Sequence, residues 1–151
     1  MATVYSDFYT PGGVPKYNVT VPIIGATYEI ATALSAADIV TMVRVPANFT
    51  IWHGWLMGDD IDTGTETLEL DVGIAGNTDK FLNSGVITGD AVTGIKPETG
   101  ILYPLFGGGS ELPWTPAEAT DVIITVTAAA AAGGTGTLSL FLYGNYLEPN
   151  Q

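Results

Sequence analysis

Cysteine is absent from this sequence of 151 residues, so neither a disulfide framework nor thiol chemistry is open to it. Its one histidine, His53, is too few for a His-rich metal site, and a Ser-His-Asp mechanism would rest on that residue alone. Basic residues are scarce as well. Four Lys+Arg stand against 16 Asp+Glu, a formal net charge of −12 at pH 7. Proteins neutralise phosphate backbones with Lys and Arg, so this balance argues against nucleic acid and anionic lipid as partners. Charged residues of both signs reach only 13% while hydrophobic ones reach 46%, which is not the composition of a disordered chain. Long apolar runs are missing: residues 122–132 are too short to span a bilayer and are interrupted by threonines. No basic stretch followed by an apolar one stands in the first ten residues, so the protein is expected to be soluble and made in a cytoplasm. Asn18-Val19-Thr20 and Asn48-Phe49-Thr50 match a glycosylation pattern without the secretory context it needs.

What the sequence does contain is punctuation, 19 Gly and 9 Pro, and a repeated alternation. Residues 1–25 stand apart as an extended N-terminal arm. Pro11, Gly12, Gly13, Pro15 and Pro22 disfavour helix and central strand there, and Tyr5, Phe8, Tyr9 and Tyr17 are spaced between them. Such an arm is either a solvated terminus or a segment that lies on a partner with its aromatics as anchors. Residues 26–151 read as one domain. Leu68, Leu70, Val72 and Ile74 alternate with Thr67, Glu69, Asp71 and Gly73, the period of a half-buried strand. Leu138, Leu140 and Leu142 repeat the scheme opposite Ser139, Phe141 and Tyr143, and Val122, Ile124 and Val126 do so again.

Weaker strands are expected over residues 28–34, Ile39–Val45 and residues 50–57. Residues 19–24 and 101–106 each contain a proline and belong at a sheet edge if they are strands. Gly, Pro and Asp clusters divide these runs at fairly regular intervals. Helix is confined to single turns at residues 35–38, 78–84 and 115–118, and the alanine run 128–132 is expected to be a hairpin connection. About eight short strands without a helical layer imply an all-β fold, a jelly-roll-like two-sheet β-sandwich.

Reactive chemistry is thin. Asp59, Asp60, Asp62, Glu66, Glu69 and Asp71 form the densest functional group, and either solvated acidic residues or a hard cation such as calcium suits them. The spacing fails the EF-hand loop, because Gly64 falls where that loop wants a ligand. His53, between Trp52 and Trp55, reads as a packed or hydrogen-bonded residue. No Gly-x-Ser-x-Gly elbow or phosphate-binding loop is present. No catalytic residue, cofactor or metal site is therefore assigned, and the protein is not expected to be an enzyme.

Surface apolarity is more telling. Residues 101–106 gather large apolar groups just before a triple glycine, and Phe141 and Tyr143 fall on the face opposite their strand's leucines. Contiguous apolar surface marks an interface unless the chain covers it itself. The residues expected to contact a capsid or a second subunit are Tyr5, Phe8, Tyr9, Tyr17, Leu102, Tyr103, Leu105, Phe106, Phe141 and Tyr143.

Three stretches carry a resemblance: Val43-x-Val45-Pro46-Ala47-Asn48-x-x-Ile51, Leu56-x-x-Asp59-Asp60-Ile61-Asp62, and Thr67-Leu68-x-Leu70-Asp71-Val72-Gly73. In this order, and with Ile123-x-x-Val126-Thr127 and Gly136-Thr137-Leu138-x-Leu140 following, the sequence resembles the head decoration (cement) proteins of tailed bacteriophages over residues 39–146. That resemblance implies a jelly-roll-like sandwich, usually trimeric, on the outer surface of a virion capsid. There it would clamp the major capsid protein against the pressure of the packaged genome. The expected partners are thus the major capsid protein and further copies of the chain in a homotrimer, with no nucleic acid and no membrane. The alternative is a carbohydrate-binding sandwich that stacks sugars on Trp52, Trp55, Trp114 and the tyrosines, with calcium at residues 59–62.

Overall fold

Among the described residues, eight strands pair into two layers, most of them built on alternating apolar side chains. The computed structural model describes residues 22–59, 61–62, 67–83, 100–105, 111–132 and 135–146. The strands are β1 (Ile23–Ile30), β2 (Ile39–Val45), β3 (Phe49–Asp59), β4 (Glu69–Ile74), β5 (Asn77–Leu82), β6 (Gly100–Pro104), β7 (Thr120–Ala128) and β8 (Gly136–Tyr146). One sheet runs β1-β8-β3-β6 and the other β2-β7-β4-β5. First pairs with last, second with seventh, third with sixth and fourth with fifth, all antiparallel. That is the connectivity of one long hairpin folded over twice, the jelly roll. The β3·β8 and β4·β7 ladders join the pairs within each sheet.

The core lies between the layers. Leu138, Leu140 and Leu142 from β8 and Ile51 and Leu56 from β3 face Val45 from β2, Val72 from β4, and Val122, Ile124 and Val126 from β7. These residues are almost wholly removed from water, each contributing about 1.5–3 kcal/mol of transfer free energy. One sheet is bounded by β1 and β6, the two segments the sequence marks for edges; the other is bounded by β2 and β5, which it does not. β6, which holds Pro104, lies at an edge, where a missing amide donor costs no ladder bond.

Four expectations shift. The first strand covers Ile23–Ile30, so residues 23–25 belong to the sheet and the expected strand at 28–34 ends early, at Ile30. Residues 78–84 are not a helical turn. Asn77–Leu82 pairs with β4 around Ala75-Gly76, and burial of Phe81 and Leu82 outweighs local propensity. Gly76 supplies the positive φ of 84° which that two-residue loop needs. The connection after Ala128 is no hairpin, because β7 and β8 lie in different sheets and the chain crosses between layers there. Residues 115–118 carry no helix either. Their neighbourhood, residues 111–116, runs along the open side of the sandwich, where Trp114 exchanges backbone hydrogen bonds with Ile51 (2.8 and 2.9 Å) and Pro116 O accepts from Asn48 N.

Candidate functional site

The two outer faces of the sandwich differ in chemistry. On the β2-β7-β4-β5 sheet, Thr41, Arg44, Asp121, Thr125 and Thr127 stand outward, and Arg44 approaches Asp121 at 3.8 Å across the ladder. That ion pair has little energetic weight, and the face is mixed: Ile39 stands exposed beside Thr125, while Ile123 and Asp71 in the adjoining rungs are buried.

The outer face of β1-β8-β3-β6 is aromatic. Its geometry starts from an irregularity in β3: the β8 register advances one residue between Gly144 and Tyr143 while β3 advances two, from Ile51 to His53. Trp52 is the extra residue. A bulge of this kind reverses which side chains point outward. Without it, the odd positions that bury Ile51 would also bury His53, Trp55 and Met57. With it, Leu56 is wholly buried, whereas His53 and Trp55 are half-buried on the outer side and Met57 is exposed.

These residues form cross-strand rungs. The first contains Ile23, Tyr143 and His53, and the second Gly25, Phe141 and Trp55, with Pro104 next in the ladder. The third contains Thr27, Ser139 and Met57, with Leu102 beyond it. The His53 ring stacks on Tyr143 (centroids 5.6 Å apart, 21° between planes) and meets Trp55 edge-on at 5.0 Å. Burial among these rings disfavours the imidazolium and lowers the His53 pKa from its usual 6.5. Phe141 covers the neighbouring strand at Gly25, with a ring carbon 2.8 Å from the place a Cβ would occupy. Trp52 stands at the margin, half exposed, its indole N–H donating to Asn145 Oδ1 at 2.9 Å. Among the described residues of these rungs, the first charge is Glu29, opposite Thr137 at the far end.

The expected contact residues separate accordingly. Phe141 and Tyr143 lie side by side on this face, and Leu102 and Tyr103 lie in β6 opposite Met57 and Leu56. Leu105 is corrected to a core residue: it is fully buried, its amide donates to Gly54 O at 2.9 Å, and its side chain fills the space Gly54 leaves. Tyr5, Phe8, Tyr9, Tyr17 and Phe106 lie outside the described residues. Ile23, His53, Trp55 and Met57 belong to the face but are not among the expected contacts. For the last three the missing signal is the bulge, which no residue type announces.

The acidic loop resolves in part. Asp62 is buried, and its carboxylate accepts backbone N–H bonds from Thr67 (2.6 Å), Leu68 (2.8 Å) and Ala131 (3.1 Å). It staples the β3–β4 connection to the crossover after β7, assisted by Thr67 Oγ1 donating to Ala129 O. Desolvation raises its pKa, but the amides of Thr67, Leu68, Ala132 and Ala131 outweigh that and lower it overall from 3.8. Among the described residues, no three His, Cys, Asp or Glu side chains gather closely enough to hold a metal ion. Trp114 stands apart from Trp52 and Trp55. It packs on Phe81 (5.2 Å) beneath Lys80, which pairs with Glu111. The three tryptophans therefore make no common platform for a sugar.

No protein-family model and no curated protein matches the sequence. Solved structures do. A chain of the cyanophage Pam1 capsid asymmetric unit superposes with a TM-score of 0.67 at 22% identity, covering 97% of this chain and 99% of that one. A chain of the capsid of Ralstonia phage GP4 gives 0.67 at 22% over 91% of each. Phage capsids contain this fold. A chain of the acid-stable capsid of Helicobacter pylori bacteriophage KHP30 is more distant, at 0.53 and 15% identity over 83% of this chain and 88% of that one. The two nearer likenesses extend over almost the whole of both chains, so the architecture shared with the capsid chains is that of the entire jelly roll.

Proposed function

We propose that this chain is a structural protein of a phage virion that decorates the outer capsid surface as a homotrimer, bridging major capsid subunits and stabilising the shell without catalysis. The observation that carries this is the unequal pair of outer faces. A protein with a net charge of −12 holds three successive rungs of one sheet free of charged residues and lays aromatic rings across them. Such a face hydrates poorly and gains from burial against protein. The fold shared with capsid chains supports the setting, and the resemblance to cement proteins supports the place on the shell.

A clamp of this type acts through area and repetition. Each protomer contributes apolar contact, and three joined protomers convert modest single contacts into a slowly released whole. The acidic remainder keeps free copies soluble before they meet the capsid. The test is cosedimentation with shells stripped of decoration. The full chain should pellet at saturating, symmetry-related stoichiometry and raise the temperature at which the shells release DNA. Failure to pellet with shells of its own phage would reject the assignment.

A further inference from the structure

We infer that β1 is an open sheet edge on which β1 of a second copy adds antiparallel, about a two-fold axis at Ala26. The inference rests on neither the trimer nor the capsid. It begins with the hydrogen bonds of β1. Antiparallel neighbours exchange their bonds at every second residue, and the residues between turn theirs the other way. Pro22 O accepts from Gly144 N at 3.2 Å, in step with the register that continues at Ile23 and Tyr143. Ile24, Ala26, Tyr28 and Ile30 therefore bond to β8, and the N–H and C=O groups of Ile23, Gly25, Thr27 and Glu29 point away from it. The Thr27 and Ser139 hydroxyls agree, meeting at 2.8 Å in the close side-chain approach of a pair without ladder bonds. Among the described residues, no backbone group outside β8 bonds to β1, and Ile23, Gly25, Thr27 and Glu29 are all exposed.

The other three edges are guarded. Proteins block strand addition with bulges, charges, proline or short length. β2 carries a bulge between Thr41 and Val43, and Arg44 beyond it. β5 carries Asp79 and Lys80, and β6 is five residues long and holds Pro104. β1 pairs with β8 over eight consecutive residues without a shift, contains no proline, and has its one charge, Glu29, next to last. The occupant follows from self-complementarity. Two β1 strands centred on Ala26 set Ile23 against Glu29 and Gly25 against Thr27, and each pairing occurs twice by symmetry. All four open residues then have partners. Sliding one strand by two residues either way leaves Ile23 or Glu29 without one. In the centred register the two acids never face each other, and Tyr28, 41% exposed, comes to lie against the second copy's Ile24, a favoured aromatic–β-branched pair. Such a contact is isologous and closes at two copies, so alongside a three-fold contact it joins one trimer to the next.

The lack of cysteine makes the test direct. Across the axis the two Ala26 residues form a pair without ladder bonds, with Cα atoms about 4.5 Å apart, a span that a disulfide bridges. Under mild oxidation in 150 mM NaCl, Ala26→Cys in the full chain should give at least tenfold more disulfide-linked dimer than Ile39→Cys, an exposed position on the neighbouring edge. Adding Thr27→Pro, which removes an outward N–H and no bond to β8, should abolish that excess. In the unaltered chain, amide exchange gives an independent reading. The amides of Ile23, Gly25, Thr27 and Glu29 should slow at least tenfold from dilute to concentrated protein, while those of Ile24, Ala26 and Tyr28 stay slow throughout. If either variant fails to fold, the exchange measurement decides alone. No excess of dimer over Ile39→Cys, a yield indifferent to Thr27→Pro, or exchange indifferent to concentration would each overturn the pairing.

Discussion

Gly144 has no room for a side chain. A Cβ there would stand 2.1 Å from Thr50 O and 2.4 Å from the Phe49 ring, at the point where β3 bulges against β8. Backbone cannot swing aside as a long side chain does, so Gly144→Ala should destabilise the domain by about 3 kcal/mol, read as a lower urea midpoint with an unchanged slope. Asp62 gives a second expectation, this one dependent on pH. Its folded pKa lies below the ordinary 3.8, so the unfolded chain binds the proton more readily than the folded one. The contribution is therefore complete above about pH 4 and is lost as pH falls through the folded value. Asp62→Ala leaves backbone amides of Thr67, Leu68 and Ala131 without their acceptor, a cost of about 2 kcal/mol at pH 7. Urea titrations at pH 7 and pH 2.5 should show the gap between wild type and variant shrinking at the lower pH. A gap independent of pH would assign Asp62 a packing role only.

Among the elements, legibility follows burial. β8 shows in the sequence because it buries one face and leaves the other more open, β4 and β7 show by the alternation of their apolar residues although Asp71 and Ile123 on their outer sides are buried too, and β2 has the limits expected of it. β5 is hidden because Asn77-Thr78-Asp79-Lys80 carries no alternation and its strand character comes only from pairing with β4. The hairpin between them depends on Gly76 at φ 84°, and nothing lies within 4 Å of the place a Cβ would take, so Gly76→Ala meets backbone strain and no clash. The expected loss is about 1 kcal/mol, measurable by thermal melting, and Gly76→Asn should recover part of it. The aromatic face was half legible for a related reason. Phe141 and Tyr143 follow from the alternation of β8, while His53 and Trp55 turn outward only because Trp52 is an extra residue in β3. A bulge is set by the partner strand's register and so lies beyond the reach of single-strand periodicity.

At the scale of the whole molecule, electrostatics and apolar area oppose each other. Three protomers brought together in the proposed trimer would carry a net charge of −36, three times the −12 of one chain. An association driven by ion pairs weakens with salt. One driven by uncharged aromatic area against net repulsion strengthens, because the Debye length shrinks from about 30 Å at 0.01 M to about 8 Å at 0.15 M, below the width of a domain. The rungs Ile23–Tyr143–His53 and Gly25–Phe141–Trp55 hold no charged residue, so the proposed trimer, if built on them, belongs to the second class. Raising NaCl from 10 to 150 mM should therefore tighten self-association by about tenfold in sedimentation equilibrium. Weakening over the same range would mean that charged pairs hold the copies together, and the aromatic face would then need another role.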